Sequence, residues 1–156
     1  MEDNKLILMV GVAGSGKSTV AKRLESEIPN SVRLSSDELR AKFGKGEDDQ
    51  SVSARVYKHM EEQTKILLKQ GFNVIVDATN VSPKSRKQFI RIARTLRPSK
   101  KVTAYFVDIS VEEAKKRNQK RKESGGRDVP EWVIDKQFQQ LNPPSFPEVD
   151  NVIKIH

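Results

Sequence analysis

The stretch Gly11-Val12-Ala13-Gly14-Ser15-Gly16-Lys17-Ser18 matches the pattern G-x-x-x-x-G-K-S/T, and its surroundings decide what it means. Leu6-Ile7-Leu8-Met9-Val10 before it is an apolar run that reads as a buried strand. Ser18-Thr19-Val20-Ala21-Lys22-Arg23-Leu24 after it has helix periodicity. A strand, a glycine-spaced turn and a helix are the context that a phosphate-binding loop requires. The glycines let backbone N–H groups approach phosphate oxygens, and the helix N-terminus adds partial positive charge. Lys17 is expected to reach the β- and γ-phosphates of a nucleoside triphosphate, and the Ser18 hydroxyl to ligand Mg²⁺. The candidate nucleotide contacts are Gly14, Ser15, Gly16, Lys17, Ser18 and Thr19.

The rest of the chain keeps alternating. Ser31 to Ser35 reads as a short strand, a helix begins near Ser36, and Gly44-Lys45-Gly46-Glu47-Asp48-Asp49 interrupts as a polar loop. From Ser51 to Gln70 the apolar positions Val56, Met60, Ile66 and Leu67 suit a long amphipathic helix that Gly71 ends. Phe72 to Val76 is the next strand, running into Asp77. Ser82-Pro83 looks like an N-cap followed by proline at the first helical position of a helix running to about Arg97. Lys101 to Val107 is another strand, and Ser110-Val111-Glu112-Glu113 is a capping box opening a basic helix. Glu123-Ser124-Gly125-Gly126 reads as a flexible break, Pro130 to Leu141 as a helix, and Val152 to Ile155 as a closing strand. Alternating strands and helices imply a five-stranded parallel sheet with right-handed crossovers and helices on both faces.

A length of 156 residues suits a single domain, residues 1–156. The absence of cysteine excludes disulfides, thiolate metal sites and cysteine nucleophiles. No signal pattern or long apolar stretch is present, which points to a cytoplasmic enzyme with no membrane association. Charge is unevenly spread: Pro83 to Arg127 holds 15 basic and 4 acidic residues, and the remainder 14 and 17. Such a basic half suggests a polyanionic partner, nucleic acid first among them; ATP and ordinary basic helix faces also call for positive charge.

Three further groups carry chemistry. Ser35-Ser36-Asp37-Glu38-Leu39-Arg40 follows the second strand, so Asp37 and Arg40 share a helix face at the carboxyl edge of the sheet. A carboxylate there can take a proton from an attacking hydroxyl while the arginine fork holds an anion, or Asp37 can simply stabilise the first helical turn. Asp77 ends an apolar strand and can hold Mg²⁺ directly or through water, with Thr79 and Asn80 placed to touch acceptor or γ-phosphate. Arg86, one turn into the next helix, is either a substrate contact or a solvated surface arginine. Arg117 and Arg121 lie one turn apart on a basic helix, as a closing lid over about 112–127 would place them; the alternative is a solvated basic face. Trp132 is read as a packing residue, with a place near the nucleoside as its alternative, and His59 as a surface or half-buried polar residue.

With these pieces in order the chain resembles the P-loop polynucleotide 5′-kinases, most of all the kinase domain of bacterial RNA-repair polynucleotide kinase–phosphatases. The resemblance runs from about Leu6 to Leu141. It rests on the phosphate loop, Ser35-Ser36-Asp37 with Arg40, Asp48-Asp49-Gln50, Val76-Asp77-Ala78-Thr79-Asn80-Val81, Arg117-Asn118 with Arg121, and Gln137 with Gln140. It implies that Asp37 is the general base on a 5′-hydroxyl and that Arg40 holds the neighbouring acceptor phosphate. It also implies that Arg117 and Arg121 reach ATP from the lid. A phosphatase or ligase module is not expected within this length. Gly126-Arg127-Asp128-Val129-Pro130 is similar to predicted kinases of the same superfamily, whose members also act on aminoacyl-tRNA, sugars and antibiotics. The expectation is an ATP- and Mg²⁺-dependent kinase for 5′-hydroxyl ends of RNA or DNA. A kinase for a small alcohol or an aminoacyl-tRNA is the alternative. A non-catalytic nucleotide switch would have no use for the Asp37–Arg40 pair.

Overall fold

Leu6–Val10 forms strand β1, and all five residues are fully buried. That burial explains why the segment is uniformly apolar: a central parallel strand is covered on both faces. The computed structural model describes residues 3–46, 50–126 and 128–156; Asp48, Asp49 and Arg127 from the sequence reading lie outside them. Around β1 the strands β2 (Ser31–Ser35), β3 (Asn73–Asp77), β4 (Val102–Val107) and β5 (Asn151–Ile155) assemble in the order β2-β3-β1-β4-β5, each neighbouring pair parallel.

Strand alternation sorts the core into two layers. Leu6, Leu8 and Val10, with Val74 and Val76 of β3 and Ala104 of β4, face helices α3 (Ser53–Lys69) and α4 (Pro83–Leu96). Ile7 and Met9, with Ile75 and Val107, face α1 (Lys17–Glu27) through Ala21 and Leu24. A third apolar cluster joins Val12 and Ala13 of the glycine loop to Ala114 of α5 (Val111–Glu123) and Ile134 of α6 (Glu131–Gln140). The short helix α2 (Ser36–Phe43) follows β2 directly. Ser35, the last residue of β2, stands level with Asp77, the last of β3, so the segments after both strands meet at one sheet edge.

Local signals account for most helix ends. Ser82 and Ser85 form a reciprocal capping box with Pro83 at the first turn of α4. Before α5 only half of the expected box forms. Ser110 Oγ accepts from the Glu113 N–H at 3.1 Å, while the Glu113 carboxylate accepts from Arg117 Nε instead. The break expected at Gly125-Gly126 falls at the end of α5, where it takes the form of a helix stop. Gly125 has φ 80°, its N–H donates to Lys122 O at 3.0 Å, and the Gly126 N–H donates to Arg121 O at 2.7 Å. Those two bonds satisfy the terminal carbonyls of α5 in a Schellman motif.

The buried face of α3 also differs from the sequence reading. Val56, Met60, Thr64 and Leu68 form the buried row at four-residue spacing, and Ile66 is 46% exposed. Thr64 joins that row because its hydroxyl donates to Met60 O at 2.7 Å, which removes the penalty of burying it.

Candidate active site

The glycine loop sits between β1 and α1 in the conformation its sequence demands. Gly14 and Gly16 have φ of 82° and 92°, and a Cβ on Gly14 would collide with Ala114 O of α5. Gly16 caps α1 with no side-chain hydrogen bond, which leaves the first N–H groups of the helix to a ligand. A pocket of about 410 Å³ opens there between Gly14–Thr19 and the side chains of Arg117 and Arg121, with Lys22 at its edge. Ser15 contributes main chain only. Its buried hydroxyl packs against Gly11, and its carbonyl accepts from Arg117 Nη1 at 3.0 Å. Arg117 is thereby fastened to the loop, with its Nε on Glu113. Lys115 ties α5 to α6 through Asp135 at 2.8 Å, and that hydrogen bond raises the Lys115 pKa above its ordinary value.

Ser18 and Asp77, far apart in sequence, meet: Ser18 Oγ donates to Asp77 Oδ1 at 3.3 Å. The other carboxylate oxygen is held by Arg33 of β2, with Nε at 2.9 Å and Nη2 at 2.8 Å. Arg33 also reaches Glu38 at 2.8 Å. It therefore turns Asp77 so that Oδ1 faces the loop. A hydroxyl and a carboxylate oxygen converging beside the phosphate pocket fit the hard-oxygen preference of Mg²⁺, which usually takes one or two protein ligands plus phosphates and water. Among the described residues no cluster of three or more His, Asp or Glu forms an independent metal site.

A second cleft, of about 440 Å³, lies on the other side of Lys17. Lys17, 6% exposed, lines both spaces. Asp37, Arg40 and Asp77 line the cleft from the sheet edge, and Arg40 Nη1 donates to Asp37 Oδ1 at 3.0 Å. Arg40 is 6% exposed, and its Nε is buried with no hydrogen-bond partner among the described residues. Such a donor is costly to leave unpaired. Thr79 lines the same cleft, and Ser53 and Tyr57 of α3 with Trp132 and Gln137 of α6 complete its walls. Gln137 also accepts from the Ala13 N–H at 2.8 Å, tying α6 to the loop.

Two expected substrate contacts are corrected. Asn80 is 1% exposed, and its side-chain amide donates to Met9 O at 2.8 Å, clamping the loop after β3 onto β1. Its φ of 46° is a left-handed angle that asparagine tolerates better than most residues. Arg86 is completely buried and faces away from the cleft. It pairs with Glu148 at 2.9 and 3.0 Å and donates to the carbonyls of Asn80 at 2.7 Å and Asn142 at 2.9 Å. A guanidinium fully engaged in this way is a structural clasp.

Sequence reasoning missed Arg33, Lys22, Tyr57 and the exposure of Trp132. Arg33 had a readable signal: an arginine inside a short strand of a covered sheet needs a buried acid, and Asp77 is level with the end of that strand. Tyr57 had none, because only the docking of α3 turns it toward the cleft.

A glycine loop under a parallel sheet in this strand order, with a second cleft against the same lysine, defines a P-loop kinase. A family model described as an AAA domain matches residues 6–144, and the chain belongs to that family. It is 30% identical over 132 residues to a predicted bifunctional polynucleotide kinase/RNA ligase of Autographa californica nuclear polyhedrosis virus, covering 75% of this chain and 18% of that protein. It is 32% identical over 123 residues to the adenylyl-sulfate kinase of Pseudomonas aeruginosa, covering 74% of this chain and 59% of that one. Among solved structures, a chain in the Pnkp1/Rnl/Hen1 RNA repair complex superimposes with a TM-score of 0.77 at 34% identity, over 90% of this chain and 45% of the other. This chain thus spans less than two thirds of each of these proteins. The family is one of nucleotide-binding kinases. Among the described residues no helix is long and apolar enough to cross a membrane.

Proposed function

We propose that this kinase transfers the γ-phosphate of ATP to the 5′-hydroxyl end of a polynucleotide, RNA or DNA. The observation that carries the reading is the Asp37–Arg40 pair, 3.0 Å apart in a cleft that shares Lys17 with the phosphate pocket. ATP lays its phosphates along Gly14–Thr19, and the terminal hydroxyl enters the cleft. Asp37 accepts the hydroxyl proton as the oxygen attacks phosphorus. The new O–P bond forms while the bond from the γ-phosphorus to the β,γ-bridging oxygen breaks, leaving ADP. Lys17, Arg117 and Arg121 neutralise charge on the transferring group. Arg40, which lines the cleft, holds the nearest acceptor phosphate through its guanidinium, and Thr79 borders the reacting groups. Ser18 and Asp77 would hold Mg²⁺, which when bound offsets charge on the β- and γ-phosphate oxygens.

The segment over about 112–127 acts as the lid in this reading. Ala114 and Asn118 are buried, so the travelling part lies beyond them, toward Arg121.

The similarity to the viral kinase/ligase and to the RNA repair chain supports a polynucleotide acceptor. The similarity to adenylyl-sulfate kinase favours a second reading, in which the same groups serve a small alcohol. An acceptor screen with labelled ATP and Mg²⁺ decides between them. It would offer single-stranded 5′-hydroxyl DNA and RNA, adenylyl sulfate, a sugar acid and aminoacyl-tRNA. Label at oligonucleotide 5′ ends is the expected result. Label confined to a small acceptor or to aminoacyl-tRNA would replace it.

A further inference from the structure

Trp132 is the only tryptophan of the chain, and it is 66% exposed. Cluster packing accounts for its neighbours Val133 and Ile134, and the indole stands apart from that cluster. It lines the cleft that also contains Asp37 and Arg40. Lys136 and Gln140 follow it at four-residue intervals and line the same cleft, so α6 presents an aromatic face, a cation and an amide at steps of about one helical turn. Lys17, Asp37, Arg40 and Asp77 line the same cleft, as does Asp128 just before α6. The cleft therefore combines ionic groups from the sheet edge with an aromatic face and a cation from α6. Its volume of about 440 Å³ lies in the range of about 300–1,000 Å³ typical of pockets for nucleotide-sized ligands.

We infer that Trp132 is the stacking platform for the terminal base of the acceptor strand, with Lys136 one turn further on taking a backbone phosphate. This inference rests on the polynucleotide reading and deepens it to a specificity-determining residue. An indole face accepts any base, because every base offers a π-face and stacking needs no hydrogen-bond code. Such a platform makes the enzyme tolerant of end sequence and intolerant of an end that lacks a base. Lys136 contributes through charge, so its effect fades with salt.

The lone tryptophan makes the test direct. A 5′-hydroxyl dodecanucleotide should quench the fluorescence of the wild-type protein, and the same strand with an abasic 5′-terminal residue should not. Trp132→Ala should raise KM for the intact strand by about 5- to 150-fold, the equivalent of one lost base stack, with kcat and KM for ATP unchanged. Trp132→Phe should recover most of that loss. The abasic strand should be used equally well by wild type and Trp132→Ala, since the platform and its base are then both missing. Two failures are distinguishable. If oligonucleotides are phosphorylated but fluorescence and KM do not respond to Trp132, the platform is wrong and the proposed function stands. If no oligonucleotide is accepted while a small alcohol is, the polynucleotide reading falls and takes the platform with it.

Discussion

The phosphate pocket and the second cleft, the proposed acceptor site, share Lys17 and are otherwise built in opposite ways. Six of the eight residues bounding the phosphate pocket come from the nine positions Gly14 to Lys22. The cleft draws on α2, α3, the end of β3 and the loop after it, the segment just before α6, and α6 itself, from Lys17 to Gln140. A pocket made from one turn of chain is set by local backbone angles. A cleft made from several segments depends on how they dock, and each can change without disturbing the others. One scaffold can therefore keep a constant donor site while its acceptor site diverges, which agrees with relatives that include both a polynucleotide kinase and an adenylyl-sulfate kinase.

The sharpest way to break this division is at Asp37. Asp37→Asn keeps the shape and removes the base, so kcat should fall by about 10²–10⁴-fold while ATP affinity, measured by calorimetry, stays put. Normal turnover in a less stable variant would make Asp37 a capping residue. Lys17 belongs to both spaces, and Lys17→Ala should cost about 10²–10³-fold in kcat for every acceptor, with an unaltered circular dichroism spectrum. An effect restricted to one acceptor would assign Lys17 to the cleft alone.

Smaller effects sharpen the boundary. Arg121→Ala should lower kcat by about tenfold or more for all acceptors alike if, as proposed, the group serves the transferring phosphate. Arg40→Ala should instead raise acceptor KM and leave ATP binding unchanged, and titrating salt should weaken oligonucleotide binding to wild type more than to this variant. Arg86→Met should leave kcat and both KM values near normal at 20 °C. Breaking its buried pair with Glu148, whose side chain is 27% exposed, should still remove about 3 kcal/mol of stability. A melting temperature about 6–12 °C lower would register that loss. Altered acceptor KM in Arg86→Met would return that residue to the cleft.

The sequence reading was most complete where the chemistry is local. The strand, loop and first helix were legible because apolar runs, glycine spacing and helix periodicity act within about twenty residues. The Asp37–Arg40 pair was legible because three-residue spacing places both on one turn. Serine caps at Ser82 and Ser110 were visible for the same reason. Reading failed where partners are remote. Arg86 looks like a solvent-facing helix arginine until Glu148, 62 positions later, is folded against it. Asn80 reads as a contact for acceptor or γ-phosphate, and only the position of the Met9 carbonyl makes it a clamp. Ile66, expected on the buried face of α3, is exposed and Thr64 is buried in that row, because the face that meets the sheet is chosen by packing as well as by hydropathy.

The sequence by itself determined the alternating order of elements, the phosphate loop and the side chains that flank its lysine. Those features follow from backbone angles, helix spacing and burial of uniformly apolar strands, all of which act over short stretches of chain. Only the tertiary structure decided which side chains around the cleft are held by the protein and which are left to line it. Arg33 turns Asp77 toward Ser18 across 44 positions, Arg86 is consumed as a clasp, Arg40 keeps one buried donor unpaired, and Trp132 is left facing the cleft. Whether a guanidinium is a clasp or a hand for substrate depends on which acceptors surround it, and those are brought there by the fold.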